Sequence, residues 1–207
     1  NEQLDELKKQ PGFDINQRIT SGRNVLFSAS YQKANWLITN GINLNKLDNL
    51  SNNAIFYASS PQKLELLIEN GLNPYHINMY ARSFLFYMSE KMINFIFSEN
   101  CKLELSPIIN QINNKGYTFL HEFLYKSKDY STSELISLID NVSKKGGNIT
   151  LKNNKKESIL YASSDKPELF IYLLQNFNFE KIDEPLLSIT ISSTKVATNL
   201  LCTLLLY

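Results

Sequence analysis

The chain has 207 residues, a formal net charge of +1 and 43% hydrophobic residues. This length suits one ordinary domain or one repeat array, and the near-neutral balance leaves no global field to draw nucleic acid or an anionic membrane. Lys and Arg are scattered, which excludes a basic nucleic-acid groove, and no apolar run is long enough to span a bilayer.

The elements predicted along the chain are short. Leu4 and Leu7, set among Asp5, Glu6, Lys8 and Lys9, predict a first helix. Trp36-Leu37-Ile38-Thr39-Asn40-Gly41 is an apolar run closed by Asn-Gly. In the next segment Ser59 or Ser60 caps a helix begun by Pro61. Its apolar stripe is Leu64, Leu67 and Ile68, with Leu66 beside them, and Gly71 ends it in a position that tolerates positive φ. Phe95-Ile96-Phe97-Ser98-Glu99-Asn100-Cys101 is a third such run. Tyr125 to Ser133 reads as a polar inserted loop. Gly146-Gly147 ends another helix. Pro167, Glu168, Phe170, Ile171, Leu173 and Leu174 repeat the design of a proline start and an apolar stripe. The final run Asn199–Tyr207 reads as a buried last helix, or as a sticky end that covers a partner or a second copy. Each short helix pair cannot bury its apolar face alone, so neighbours must stack.

A degenerate motif returns about every thirty residues. Its cleanest copy is Gly116-Tyr117-Thr118-Phe119-Leu120-His121. Others begin at Asn24, Asn53, Ser83, Glu157 and Glu184. These copies resemble the ankyrin repeat, whose first helix opens Thr-Pro-Leu-His-x-Ala with a period of roughly 33 residues. The His position falls on Phe27, Phe56, Phe86, His121, Leu160 and Leu187, at steps of 29, 30, 35, 39 and 27 residues. The Asn-Gly helix ends match the family too, as do extended segments such as Ile42-Asn43-Leu44-Asn45, Leu72-Asn73-Pro74 and Phe13-Asp14-Ile15-Asn16. The resemblance implies an all-α, ankyrin-like solenoid of about six helix-turn-helix repeats with short hairpin-like connectors, filling 1–207 as one domain. Residues 1–16 form a partial or capping repeat. Full repeats lie near 20–48, 49–78, 79–112, 113–152, 153–183 and 184–207. The motif Pro survives only at Pro185, and Phe or Leu at the His position implies apolar packing in place of a hydrogen bond. The stretch from 121 to 160 carries an insertion.

Such arrays generally hold proteins through their hairpin tips and first helices. Carried over by position, the contact residues are Thr20, Ser21 and Arg23, then Asn49, Leu50 and Asn52, then Met79, Tyr80 and Arg82. Asn114, Lys115 and Tyr117 follow, and then Asn153, Asn154 and Lys156. The fourth set is the safest because it keeps the family's Gly and Thr. Tyr57 and Tyr87 follow the His position and either line the same face or stack in the core. Tyr and Arg concentrate binding energy at interfaces. The candidate protein-binding residues are therefore Arg23, Asn49, Asn52, Tyr57, Met79, Tyr80, Arg82, Tyr87, Asn114, Lys115, Tyr117, Asn154 and Lys156.

No catalytic constellation is legible, so the chain reads as a non-enzyme without cofactor or metal. His121 fills the structural His of the repeat, and His76 falls in a surface loop. Neither has a Cys or carboxylate at metal-ligand spacing. The few glycines form no phosphate loop. Cys101, which replaces the Gly after Asn100, and Cys202 read as buried free thiols, which fits a reducing, cytoplasmic setting. The chain begins at Asn1 rather than Met and so reads as trimmed. Asn is abundant, at 25 of 207 residues, and reads as AT-rich coding bias. The functional expectation is a protein-binding module, foremost an immunity protein that neutralises a cognate bacterial toxin, nuclease or other. An ankyrin-type effector or viral host-interaction protein is the second reading, and a structural adaptor or oligomer the third. No direct contact with nucleic acid or membrane is expected.

Overall fold

A computed structural model describes residues 2–179. The motif copy at 184–189, the apolar run at 199–207 and Cys202 lie outside the described residues. Among those described, every regular element is helical. The chain divides between Ile96 and Phe97 into two compact units.

The first unit begins with α1 (Glu2–Lys8), followed by a single 3-10 turn at Val25–Phe27 and α2 (Tyr31–Thr39). A second 3-10 turn at Ala54–Tyr57 precedes α3 (Pro61–Glu69), and a third at Phe84–Tyr87 precedes α4 (Glu90–Phe97). α1 is tied to α2 and its end by two hydrogen bonds: the Trp36 indole donates to Asp5 Oδ1 at 2.7 Å, and Lys8 Nζ to Asn40 Oδ1 at 2.8 Å. The second unit contains α5 (Phe119–Lys126), α6 (Thr132–Lys144), α7 (Ile159–Ala162) and α8 (Pro167–Asn176).

The first helix expected of each repeat is thus reduced to one turn in most copies. The caps supply a reason. Asn24, Asn53 and Ser158 accept from the N–H two residues on, which closes a tight turn. Thr118 instead accepts from His121 N–H, three residues on, and α5 runs for 8 residues. His121 completes this capping box, its Nδ1 accepting from Thr118 N–H at 3.3 Å; it has the structural place expected of it.

Packing follows the periodicity. The motif's Leu position holds Leu26, Ile55, Leu85, Leu120 and Leu160, all buried, each worth roughly 1.5–3 kcal/mol of apolar burial. Ser60 is the N-cap of α3 and Pro61 its first residue. Leu72 N–H reaches back to Leu67 O at 3.0 Å past Gly71, whose φ is 89°.

Four expectations need correction. Cys101 does not take a left-handed Gly position, because α4 stops at Phe97 and only Ser51, Ala81 and Lys156 among described non-glycine residues have positive φ. The polar insertion is a shorter loop than expected: Tyr125 and Lys126 finish α5, Thr132 and Ser133 open the 13-residue α6 behind the Ser131 cap, and 127–131 lie between the helices. The fifth motif sits one residue later than read, with Ser158 as cap and Tyr161, not Leu160, three residues beyond it. Asparagine is a structural material here. Asn24 and Asn53 cap turns and donate to Asn43 O and Asn73 O, while Asn40 and Asn70 donate to carbonyls of the helices they end.

Candidate protein-binding tips

Five tips of common geometry occur among the described residues, at 19–23, 48–52, 78–82, 113–117 and 153–157. In each, the first N–H donates to the fifth carbonyl, at 2.8–3.0 Å, and the fourth N–H returns to the first carbonyl. The fourth residue has positive φ, as Gly22 (80°), Ser51 (61°), Ala81 (56°), Gly116 (79°) and Lys156 (63°). Tips without glycine therefore keep the geometry and bear the steric cost of a side chain there. In four tips the first residue is Asp48, Asn78, Asn113 or Asn153. Its Oδ1 accepts from the third and fifth N–H groups. This role is not read from the sequence, which names only Asn153 among the four and as a contact residue rather than the buried turn former it is, although an Asp or Asn five residues before each cap marks them.

In the first unit, neighbouring tips are tied by Asn49 N–H to Ser21 O (2.9 Å) and Met79 N–H to Leu50 O (3.2 Å). Asp48 is the centre of a buried network. Its Oδ2 accepts from Tyr57 OH at 2.6 Å and from Asn52 Nδ2 at 3.1 Å, and Arg23 Nε lies 3.7 Å away. The Arg23 guanidinium covers the Tyr57 ring, 4.6 Å from its centroid. Asn52 Oδ1 accepts from Asn78 Nδ2 at 2.8 Å, which also donates to Tyr87 OH at 2.8 Å. Arg82 lies over Phe86 and Tyr87 at 5.6 and 5.9 Å. Burial alone would raise the Asp48 carboxyl, but the donors from Tyr57, Asn52 and Leu50 outweigh it and hold the group below its usual range. Burial and the Asp48 bond raise the Tyr57 phenol.

The predicted residues therefore separate. Met79, Tyr80 and Asn49 are exposed, as is the edge of Tyr87. Arg23, Tyr57 and Arg82 are half-buried, and Asn52 is buried inside the network rather than presented. Tyr57 and Tyr87 also meet Phe27 and Phe56 in tilted ring contacts, centroids 5.5 Å apart in each pair, so both rings pack against the repeat's aromatic residues. His76 is not a free loop residue: its Nε2 lies 2.6 Å from Ser51 O, which can only accept, so this nitrogen carries the proton.

In the second unit, Asn154 N–H donates to Lys115 O at 3.3 Å. Asn114, Lys115, Asn154 and Lys156 are exposed. The one-residue slip puts Lys156 in the left-handed position, and Glu157 takes the place between it and the cap. Tyr117 meets Tyr125 edge-on at 6.0 Å, and Tyr125 meets Tyr161 at 6.5 Å. Glu157 is buried beside them and accepts from Asn153 Nδ2 at 2.7 Å and Tyr117 OH at 3.5 Å.

Short helix pairs joined through extended tips, each tip bonded to the next within its unit, define the ankyrin-repeat fold. Solved structures agree. The chain is similar to the immunity protein Bd3460 bound to the predatory endopeptidase Bd0816 of Bdellovibrio bacteriovorus, at 19% identity and TM-score 0.63, over 85% of this chain and 92% of that one. It is similar to the ankyrin repeat protein EF0377, at 18% identity and TM-score 0.61, over 84% and 90% of the two chains. It is also similar to the ankyrin repeat domain ABAYE2397 of Acinetobacter baumannii AYE, at 20% identity and TM-score 0.61, over 84% and 91%. No family model and no curated protein matches the sequence. Among the described residues no helix is long and apolar enough to cross a membrane, and no three His, Cys, Asp or Glu side chains gather as a metal site.

Proposed function

We propose that this chain is a protein-binding module that acts as an immunity protein, holding and neutralising a cognate toxin through its tips. One observation supports the surface. The first unit holds Arg23 against Tyr57 and Arg82 against Tyr87 while leaving Met79 and Tyr80 exposed on the same tip as Arg82. Rigid aromatic and Arg anchors beside exposed apolar groups are the chemistry of interface hot spots. The immunity reading draws support from the fold shared with Bd3460, whose partner makes a peptidase domain the first toxin class to test.

The experiment is capture from the source organism by wild type beside a Met79→Ala/Tyr80→Ala variant. The expected result is one stoichiometric partner whose hydrolytic or toxic activity falls on binding, with capture weakened by the variant. A captured partner with unchanged activity would end the immunity reading, and capture insensitive to the variant would move the surface elsewhere.

A further inference from the structure

In the second unit, Glu157 is a buried carboxylate held by neutral side-chain donors, Asn153 Nδ2 and the Tyr117 hydroxyl. No Lys or Arg nitrogen among the described residues lies within ion-pair distance of it. Lys126, on the same helix as Tyr125, is occupied with Glu122 at 3.4 Å. Neutral donors place no positive charge beside the carboxylate, and burying a carboxylate without a counter-ion is costly. Around it stand Tyr117, Tyr125 and Tyr161, edge to face, and the Tyr125 ring is 38% exposed. Aromatic faces add a second attraction for a cation.

The first unit shows what completes such a site. There the buried Asp48 carboxylate, bonded to Tyr57 OH, has the Arg23 guanidinium at 3.7 Å, laid over the tyrosine ring. Arg23 is the fifth residue of its tip. In the second unit the fifth residues are Tyr117 and Glu157, so the aromatic groups and the carboxylate are present while no guanidinium among the described residues pairs with them. We infer that Tyr117, Tyr125, Tyr161 and Glu157 form a receptor for a basic side chain, Arg or Lys, brought by the protein partner. Burial and the Glu157 charge raise the Tyr117 and Tyr125 phenols, so both hydroxyls stay protonated at neutral pH and Tyr117 keeps donating to the carboxylate.

The source of the cation rests on the protein-binding reading above; the receptor itself does not, and it is tested without any partner. Protein labelled at tyrosine is titrated with acetyl-arginine amide, its neutral isostere acetyl-citrulline amide, and choline, while the Tyr125 ring resonance is followed by NMR. The expected result is a saturable shift with the arginine amide at millimolar concentration, none with citrulline, and weaker binding of choline. Glu157→Gln, which retains an acceptor oxygen for the Tyr117 phenol, lowers arginine affinity about tenfold. Tyr125→Ala, a change at an exposed ring followed through Tyr117 and Tyr161, does the same and keeps the test valid if the glutamine variant fails to fold. Equal response to arginine and citrulline, or arginine binding indifferent to these folded variants, would overturn the receptor. Choline binding tighter than arginine would overturn its assignment to a protein side chain.

Discussion

Gly116 and Gly146 both lie in the second unit and share nearly the same backbone, with φ of 79° and 87°. An alanine at either position pays the left-handed penalty, about 1–2 kcal/mol, partly offset by a less free unfolded chain. Only at Gly116 does the added Cβ meet anything. It would stand 2.4 Å from Asn154 Oδ1 and 2.5 Å from Asn154 N, whereas at Gly146 nothing lies within 4 Å. Relief at Gly116 requires the 153–157 tip to move away, which stretches the Asn154 N–H to Lys115 O bond beyond its 3.3 Å. Overpacking costs about 1–3 kcal/mol and a lost hydrogen bond about 1 kcal/mol. Gly116→Ala should therefore lower stability by about 2–3 kcal/mol more than Gly146→Ala. Urea unfolding followed by far-UV circular dichroism reads the difference, and amide exchange at Asn154 should quicken in the Gly116 variant alone. Equal losses in the two variants would refute the claim that contact between neighbouring tips, rather than backbone conformation, requires this glycine.

The converse substitution Lys156→Gly removes a side chain from the left-handed position and should raise the urea midpoint modestly, by about 0.5–1 kcal/mol of stability. Lys63 is almost fully buried, donates to Phe27 O at 3.0 Å, and has its amine pushed down to about 8 by burial. The unfolded chain then holds the extra proton above pH 8, so wild-type stability should rise from pH 8 towards 10. Lys63→Met should abolish that rise in pH-dependent melting. At still higher pH the raised tyrosines act oppositely, because the folded state keeps their protons longer. Asp48, whose carboxyl is depressed, contributes stability above its unfolded value that is lost as pH falls through its folded value. Asp48→Asn should cost about 1–3 kcal/mol at pH 7, since its single oxygen can serve either the Leu50 and Asn52 N–H groups or the Tyr57 and Asn52 side chains while its NH2 faces the other donors, and should flatten the acid limb of the melting curve.

Much of the fold was legible in the sequence because local chemistry sets it. Pro61 and Pro167 start helices because their missing N–H would be unpaired there anyway, and the stripes of Leu and Ile follow the helical period. The motif copies at Asn24, Asn53 and Thr118 mark their caps because a side-chain oxygen there accepts from an N–H of the turn that follows. The candidate surface was legible only in part. Tip positions come from motif register, and one residue of slip at Ser158 exchanged the roles of Lys156 and Glu157.

Tertiary structure decided what motif register could not. Whether a turn runs one coil or two depends on which N–H its cap reaches. Whether Asn52 faces solvent depends on Asp48 and Asn78 meeting it from two tips. That Lys63 is buried depends on carbonyls of Phe27 and Tyr57, 36 and 6 residues away, converging on its amine. The repeat period and the caps are short-range properties of a few consecutive residues. The charge of Asp48, answered by Arg23, and that of Glu157, left to neutral donors, are properties of side chains brought together across repeats, and only packing distinguishes them.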